Sequence, residues 1–297
     1  MDANGTIERQ PNGTTLVTVL GETWSKDVPG VTCLNPSDPE PNRVYQKAFS
    51  QKQIYLPSEY DKAISEHIAH PDNFVLSMNG YSRLSKDQLN KWGIDQEGAY
   101  EEACRALLSH AIKHLKTKFT GAQLKLIHGA SDMGIDKSIQ QVADEYNITP
   151  LGFSCPRFML YVNDDNIPVY CAESSDDYAD KYIKTLDLLI ATGGREQAFK
   201  HDVLAAVLYQ KRIHFVDVLN HLSKTAAVPA VSIDANGNRR VENAAAAMGS
   251  YVSFFNLNDS MRQRVEGEDI WDTMFRNIEG VTTEVCRKKM SPARKFT

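Results

Sequence analysis

From residue 74 to residue 216 the chain repeats one pattern: a short unbroken apolar run, a polar loop, then a longer stretch with apolar residues every three or four positions. The runs at 74–78, 124–128, 150–153, 188–192 and 213–216 have strand length and no polar alternation, as expected of strands covered on both faces. Between them the 3.6-residue period predicts helices over 96–119 (stripe Ala103, Leu107, Ile112, Leu115), 135–146 (stripe Ile135, Ile139, Val142, Ala143), 175–184 and 196–209. The stretches 157–162 and 169–172 fit either short strand or loop. Strands separated by helices of ten or more residues imply parallel pairing through right-handed crossovers. The expected fold is α/β, a doubly wound, mostly parallel, Rossmann-like sheet. Such sheets bind ligands at the carboxyl ends of their strands.

The flanks read differently. Residues 1–56 are rich in Pro, Asn, Gly and Thr and, apart from one strand at 15–20 (TLVTVL), are expected to be irregular. A helix should start at Ser58 as N-cap, with Asp61 in its first turn, and stop at Pro71. Beyond Leu219, residues 231–233 and 240–241 should pair as a hairpin, because Asn236-Gly237 fits a tight primed turn. Helices are expected over 244–248 and 261–278. The chain thus divides into an irregular N-terminal segment (1–56), a Rossmann-like nucleotide-binding core (57–219) and a C-terminal hairpin with helices (220–297). The last part is a place for contact in a homo-oligomer.

Composition narrows the function classes. The 297 residues are 42% hydrophobic and 24% charged, with a net charge of −5, so no global field draws the protein to nucleic acid or anionic membrane. The basic tail RKKMSPARKFT reads as a solvated end. Five widely spaced cysteines, with no CxxC pair, point away from zinc and disulfides and toward reduced thiols in the cytoplasm. No apolar run approaches the roughly 20 residues that span a bilayer. No GxxxxGK[ST], GxGxxG or GxSxG occurs, which leaves P-loop, ordinary NAD(P) and serine-hydrolase chemistry without support. No cofactor and no metal site are expected.

The candidate chemistry lies in three loops at strand ends. The first, NGYSRL (79–84), offers Tyr81 to stack on a base and Ser82 and Arg83 to take phosphate. In the second, HGASDMGID (128–136), Gly129 and Gly134 permit positive φ or close backbone approach. A Gly-rich loop that opens into a helix aims backbone N–H groups at one spot, a place to hold a phosphate. Here Ser131 would touch ligand or cap the helix, as would Asp132. Asp136 would answer the helix dipole or bind a ribose hydroxyl, and His128 would pack or contact ligand. The third, ATGGRE (191–196), supplies the Thr192 hydroxyl, close approach at Gly193 and Gly194, and Arg195 as a phosphate clamp or surface side chain. Glu196, His201 and Asp202 are its nearest titratable groups, and a carboxylate there would steady an oxocarbenium-like centre or activate water.

With these three loops the stretch 74–218 resembles the SLOG superfamily of Rossmann-like domains, which includes the Lonely Guy phosphoribohydrolases and the DNA-processing protein A fold. NGYSR is similar to the family's first-strand loop, HGASDMGIDKSIQQVADEYNITPLGF to its HGGA-x-GAD unit, and ATGGRE to the GG loop that closes the nucleotide site. The resemblance implies phosphate and sugar contacts from Gly80, Ser82, Arg83, Gly129, Ala130, Ser131, Gly134, Asp136, Thr192, Gly193 and Gly194. Hydrolytic members carry P-G-G-x-G-T-x-x-E. Here Arg195-Glu196-Gln197 follows the glycines, and the glutamate position falls near Lys200. Only Glu196 or Asp202 would stand in as the catalytic carboxylate.

The expected function is binding of a nucleotide or NAD-derived small molecule, as a sensor or sequestering protein. The alternative is hydrolysis or transfer at an N-glycosidic bond of a nucleoside phosphate. A weaker alternative is DNA processing on single strands, against which the acidic balance argues.

Overall fold

The computed structural model describes residues 5–71, 73–94, 96–118, 123–163, 167–209, 211–224, 228–248 and 254–255. The expected strands are present as β6 (Asn73–Asn79), β7 (Gln123–His128), β8 (Leu151–Ser154), β10 (Leu188–Ala191) and β11 (Arg212–Val216). They form the middle of an eight-stranded sheet that also contains β9 (Val169–Cys171), β5 (Ile54–Tyr55) and β14 (Phe254–Phe255), in the order β14-β11-β10-β6-β7-β8-β9-β5. Every pairing in it is parallel. The fold is Rossmann-like α/β.

Successive residues of each strand face opposite sides, so one apolar run serves two cores. Phe74, Leu76 and Met78 of β6 pack with α3 (Ala99–Lys118), α4 (Gly134–Glu145) and α9 (Val218–Leu222). Val75, between them, packs on the other face with α1 (Tyr60–His67) and α6 (Ser175–Thr185). On that second face Phe153 is fully buried, edge-on to Tyr170 and Tyr182 at centroid distances of 5.7 and 5.6 Å. The strand order reverses at β6: the chain moves outward through β7, β8 and β9, then returns to lay β10 against the other side of β6.

Four local expectations are corrected. The strand expected at 15–20 is present as β2 (Thr15–Leu20), but the rest of residues 5–49 is not irregular: β1 (Gly5–Arg9), β3 (Thr32–Cys33) and β4 (Val44–Phe49) join it in an antiparallel sheet in the order β1-β2-β4-β3. Its inward residues Val17, Val19, Tyr45 and Phe49 bury against Met159, Leu160 and Val162. Only partners far along the chain give these short strands a core. Ser58 does not cap α1. It lies in a 3₁₀ turn (Pro57–Glu59), and Glu59 accepts the Leu56 N–H instead (2.8 Å). The ambiguous stretch after β8 begins as a helical turn, α5 (Pro156–Met159), while 169–171 is strand.

The helix α2 (Lys86–Lys91) was not expected, although its S-x-x-Q capping box is legible, with Ser85 receiving the Gln88 N–H at 3.3 Å. The hairpin β12 (Val231–Ile233) with β13 (Arg239–Val241) forms as expected. Its turn does not. Only Gly237 takes a positive φ (+81°), so Asp234–Asn238 is a longer loop, closed by Asp234 through the N–H groups of Asn236 and Asn238 (both 2.9 Å). The helix α10 (Ala244–Met248) is as expected, and the helix expected over 261–278 lies outside the described residues. Among the described residues no helix is long and apolar enough to cross a membrane.

Truncating Phe153 to alanine would remove a ring held by two others and leave a cavity. The expected cost is about 3–5 kcal/mol, read as a lowered urea midpoint with unchanged m-value.

Candidate functional site

The cavity lies where the strand order reverses. Here β6 and β10 run side by side, Asn79 opposite Ala191, and their crossovers leave toward opposite faces of the sheet. At the carboxyl ends of the strands this leaves a cavity of about 360 Å³, lined by the loops after β6, β7 and β10 and by α5 and α6.

The junction is closed from below by Thr192. Its N–H and hydroxyl both donate to the Asn79 carbonyl (3.0 and 2.7 Å), and Tyr100 holds the same hydroxyl at 2.8 Å. Thr192 is fully buried and does not line the cavity, so its role is to join the strands. Tyr81 is only 2% exposed, its ring against Tyr100, Trp92 and the Arg195 guanidinium and its hydroxyl donating to the Glu242 carbonyl. It stands in the cavity lining with its ring packed among these neighbours. Gly193 has φ +149°, and a Cβ there would strike the Tyr81 ring. Gly80 and Gly129 line the cavity, as do the exposed Ser82 and Arg83.

The second loop holds an anion of its own. Asp136 accepts from the Gly129 N–H (2.8 Å), the Ser131 N–H (3.3 Å) and the Ser131 hydroxyl (2.6 Å). The amides expected to cradle phosphate are committed to this carboxylate. The first turn of α4 is similarly committed, since Ile135 donates its N–H to the Tyr81 carbonyl (3.1 Å). Asp132 is turned away, paired with Lys137. Ala130 takes φ +61° and is buried behind the loop, its N–H on His128 Nδ1 (3.0 Å). That bond makes Nδ1 the acceptor, and Nε2 faces Gln140 Oε1 at 3.2 Å, so both ring nitrogens are engaged away from this cavity. Gly134, at φ +48°, carries no cavity surface, and a Cβ there would collide with the carbonyls of Tyr81 and Ser82.

The two carboxylates weighed for catalysis separate. Glu196 is exposed, paired with Lys200 (2.8 Å) and accepting the Val241 N–H (3.3 Å). These bonds hold it below the usual carboxylate range, and it does not line the cavity. Asp202 does. The helix after β10 passes from α7 (Glu196–Ala198) through a π-helical segment (Phe199–Leu204) into α8 (Ala205–Leu208). Wider turns bring Gln197, Ala198, His201 and Asp202 to the cavity together, at i, i+1, i+4 and i+5; such segments recur at functional sites. Burial raises the Asp202 carboxyl from 3.8 to about 7, the Asn79 hydrogen bond (3.3 Å) opposes the rise, and the Asp136 charge adds to it.

Four aromatic residues missed in the sequence complete the walls: Phe158, Tyr161, Tyr178 and Tyr182. Tyr178 and Tyr182 stack at 5.5 Å and 15°. Their i, i+4 spacing was visible but reads equally as core. Tyr161 is placed by the N-terminal segment, through Ser25 in the 3₁₀ turn Thr23–Asp27 (3.0 Å) and through Lys47 of β4, which donates to the Leu160 and Val162 carbonyls (3.2 and 2.6 Å). Asn79, also missed, is 3% exposed, and its Oδ1 is buried without a partner. Arg195 donates to the Arg83 carbonyl (3.4 Å) and leaves Nη2 buried without a partner. No group of three or more His, Cys, Asp or Glu among the described residues is placed to hold a metal.

Fold and site define a class: a doubly wound α/β protein with a cavity of small-ligand size at its topological switch point. No protein-family model matches the chain, and no curated protein matches it in sequence.

Gly134→Ala should cost about 2–4 kcal/mol, from a left-handed φ and the carbonyl collisions together, read by chemical denaturation. Asp202 holds its proton more tightly folded than unfolded, so stability falls as pH rises from about 4 to about 7. Asp202→Asn removes that loss. Its melting temperature should match wild type near pH 4 and exceed it by roughly 5 °C at pH 8; an equal difference at both pH values would contradict the assignment.

Proposed function

We propose that this protein binds a nucleotide or nucleotide-derived small molecule in the switch-point cavity, as a sensor or sequestering module. The observation that carries the reading is the convergence of three strand-end loops on one cavity of about 360 Å³, at the position where doubly wound sheets take their ligands. That volume suits one nucleotide-sized molecule. The lining has the composition such a molecule needs: aromatic surface from Phe158 and Tyr178, a cationic side chain in Arg195, and hydrogen-bonding groups in Asn79, Ser82 and Asp202.

A second reading, cleavage of an N-glycosidic bond, is favoured by one feature. Asp202 sits in a partly apolar cavity and titrates near neutral pH, where a carboxyl can both accept and return a proton. Glu196 has no part in this reading, because its carboxylate lies outside the cavity.

A panel of nucleoside monophosphates, NAD and cyclic ADP-ribose separates the two. Binding predicts saturable thermal stabilisation without product, of about 2.7 kcal/mol at a hundred times Kd. Catalysis predicts released base that disappears in Asp202→Asn and persists in Glu196→Ala. A flat thermal profile across the whole panel would remove both readings.

A further inference from the structure

Asp136 and Asp202 stand on the lining of the same cavity, and each is only partly buried. They come from different elements, Asp136 from the first turn of α4 and Asp202 from the π-helical segment after β10. Asp136 receives the Gly129 N–H at Oδ1, and the Ser131 N–H and hydroxyl at Oδ2. Those donors favour its charged form, and Oδ1 keeps a second lone pair. Asp202 receives the Asn79 amide at Oδ2 (3.3 Å), which leaves Oδ1 with no hydrogen bond among the described residues. Burial first, and then the Asp136 charge, hold the Asp202 carboxyl up at about 7. Like charges on one partly apolar lining have two ways out: Asp202 takes a proton, or a cation lies between the carboxylates.

The cationic side chains on the lining are turned to other partners. Arg195 lies 5.4 Å from the Tyr81 ring centroid and donates to the Arg83 carbonyl at 3.4 Å, and Arg83 is exposed. His201 has its Nε2 4.0 Å from the Asp176 carboxylate.

The wall beside the carboxylates is aromatic. Tyr178 stacks on Tyr182 at 5.5 Å, and Phe158 stands edge-on to Tyr178 with centroids 5.8 Å apart. Phe158 and Tyr178 are partly exposed on the lining. Burial raises the Tyr178 and Tyr182 hydroxyls, and the Asp202 and Asp136 charges add to the rise. Both carboxylates therefore act on the same pair of rings. Ring faces carry negative potential and attract a cation. An anion placed among these groups would meet like charge, whereas an ammonium would meet open acceptors and ring faces.

We infer that this part of the cavity takes a protonated amine, its N–H groups donating to Asp202 Oδ1 and Asp136 Oδ1 and its carbon frame against Tyr178 and Phe158. The inference does not rest on the nucleotide-binding reading. It concerns a different chemical class and uses neither the arginines nor the backbone amides of the Gly-rich loop.

The test is an NMR titration of the full chain at pH 8, above the Asp202 titration. It compares benzylamine, which is protonated there, with benzyl alcohol and benzoate, near neighbours in shape that differ in charge. The amine should bind with a Kd of about a millimolar. It should bind roughly tenfold or more tightly than the alcohol, and benzoate more weakly than either. Asp202→Asn should weaken the amine roughly tenfold while leaving the alcohol within about twofold. Equal affinity for amine and alcohol, tighter binding of benzoate, or an amine preference unchanged in Asp202→Asn overturns the inference. So does the absence of amine binding at about ten millimolar. The comparison among the three probes needs no variant, so it decides the charge preference even if Asp202→Asn fails to fold. Nucleotide binding without amine binding removes this inference alone, and amine binding without nucleotide binding removes the nucleotide reading alone.

Discussion

The site depends on the parallel contact between β6 and β10. Because the chain leaves β6 toward α3 on one face and leaves β10 toward α8 on the other, no crossover covers their carboxyl ends. The gap would weaken the sheet if the strand ends could part. The buried Thr192 hydroxyl prevents this by bonding the Asn79 carbonyl across the junction. With that bond satisfied by Tyr100 as well, the floor of the cavity is set by backbone, and side chains from three loops are positioned against a rigid edge.

Asp136 changes what such an edge can recognise. In a Gly-rich loop that opens into a helix, free amides and the helix dipole together favour an external anion. Here the first helical turn supplies its own carboxylate, which takes the Gly129 and Ser131 amides and the Ser131 hydroxyl. It also places a carboxylate on the cavity lining. Asp202 deepens the same polarity from the opposite side, on a π-helical segment that turns it inward. A carboxyl held near neutral titration by burial disfavours the folded state at higher pH. Groups of that kind concentrate at functional sites.

The flanking segments support this arrangement directly. The N-terminal segment holds the Leu160–Val162 backbone through Lys47 of its sheet and orients Tyr161 through Ser25 of its 3₁₀ turn. From the other end, Ala244 donates its N–H to the Gly194 carbonyl (2.8 Å), and Glu242 receives the Tyr81 hydroxyl. Both flanks add tertiary contacts to loops at the carboxyl edge of the central sheet.

The sequence by itself determined the parallel sheet, because apolar runs of strand length, separated by 3.6-period helices, can bury both faces in few other ways. It also placed Arg83, Gly129 and Arg195 near the carboxyl edge, since each follows a strand end closely. What each side chain does there was decided only by tertiary structure. Glu196 and Asp202 are six positions apart on one helix, yet one faces Val241 and the other Asn79, a difference set by helix winding and by what packs on either side. Thr192 read as a ligand group but is buried under the cavity, bonded to Asn79 and Tyr100, and Tyr81, though on the lining, packs its ring against Tyr100, Trp92 and Arg195, because partners remote in sequence reach them. Asn79 and the aromatic wall carried no motif. Of the N-terminal strands only Thr15–Leu20 was legible; the others were not, because their core includes residues about a hundred positions away or more, and short-range pattern carries no record of such contacts.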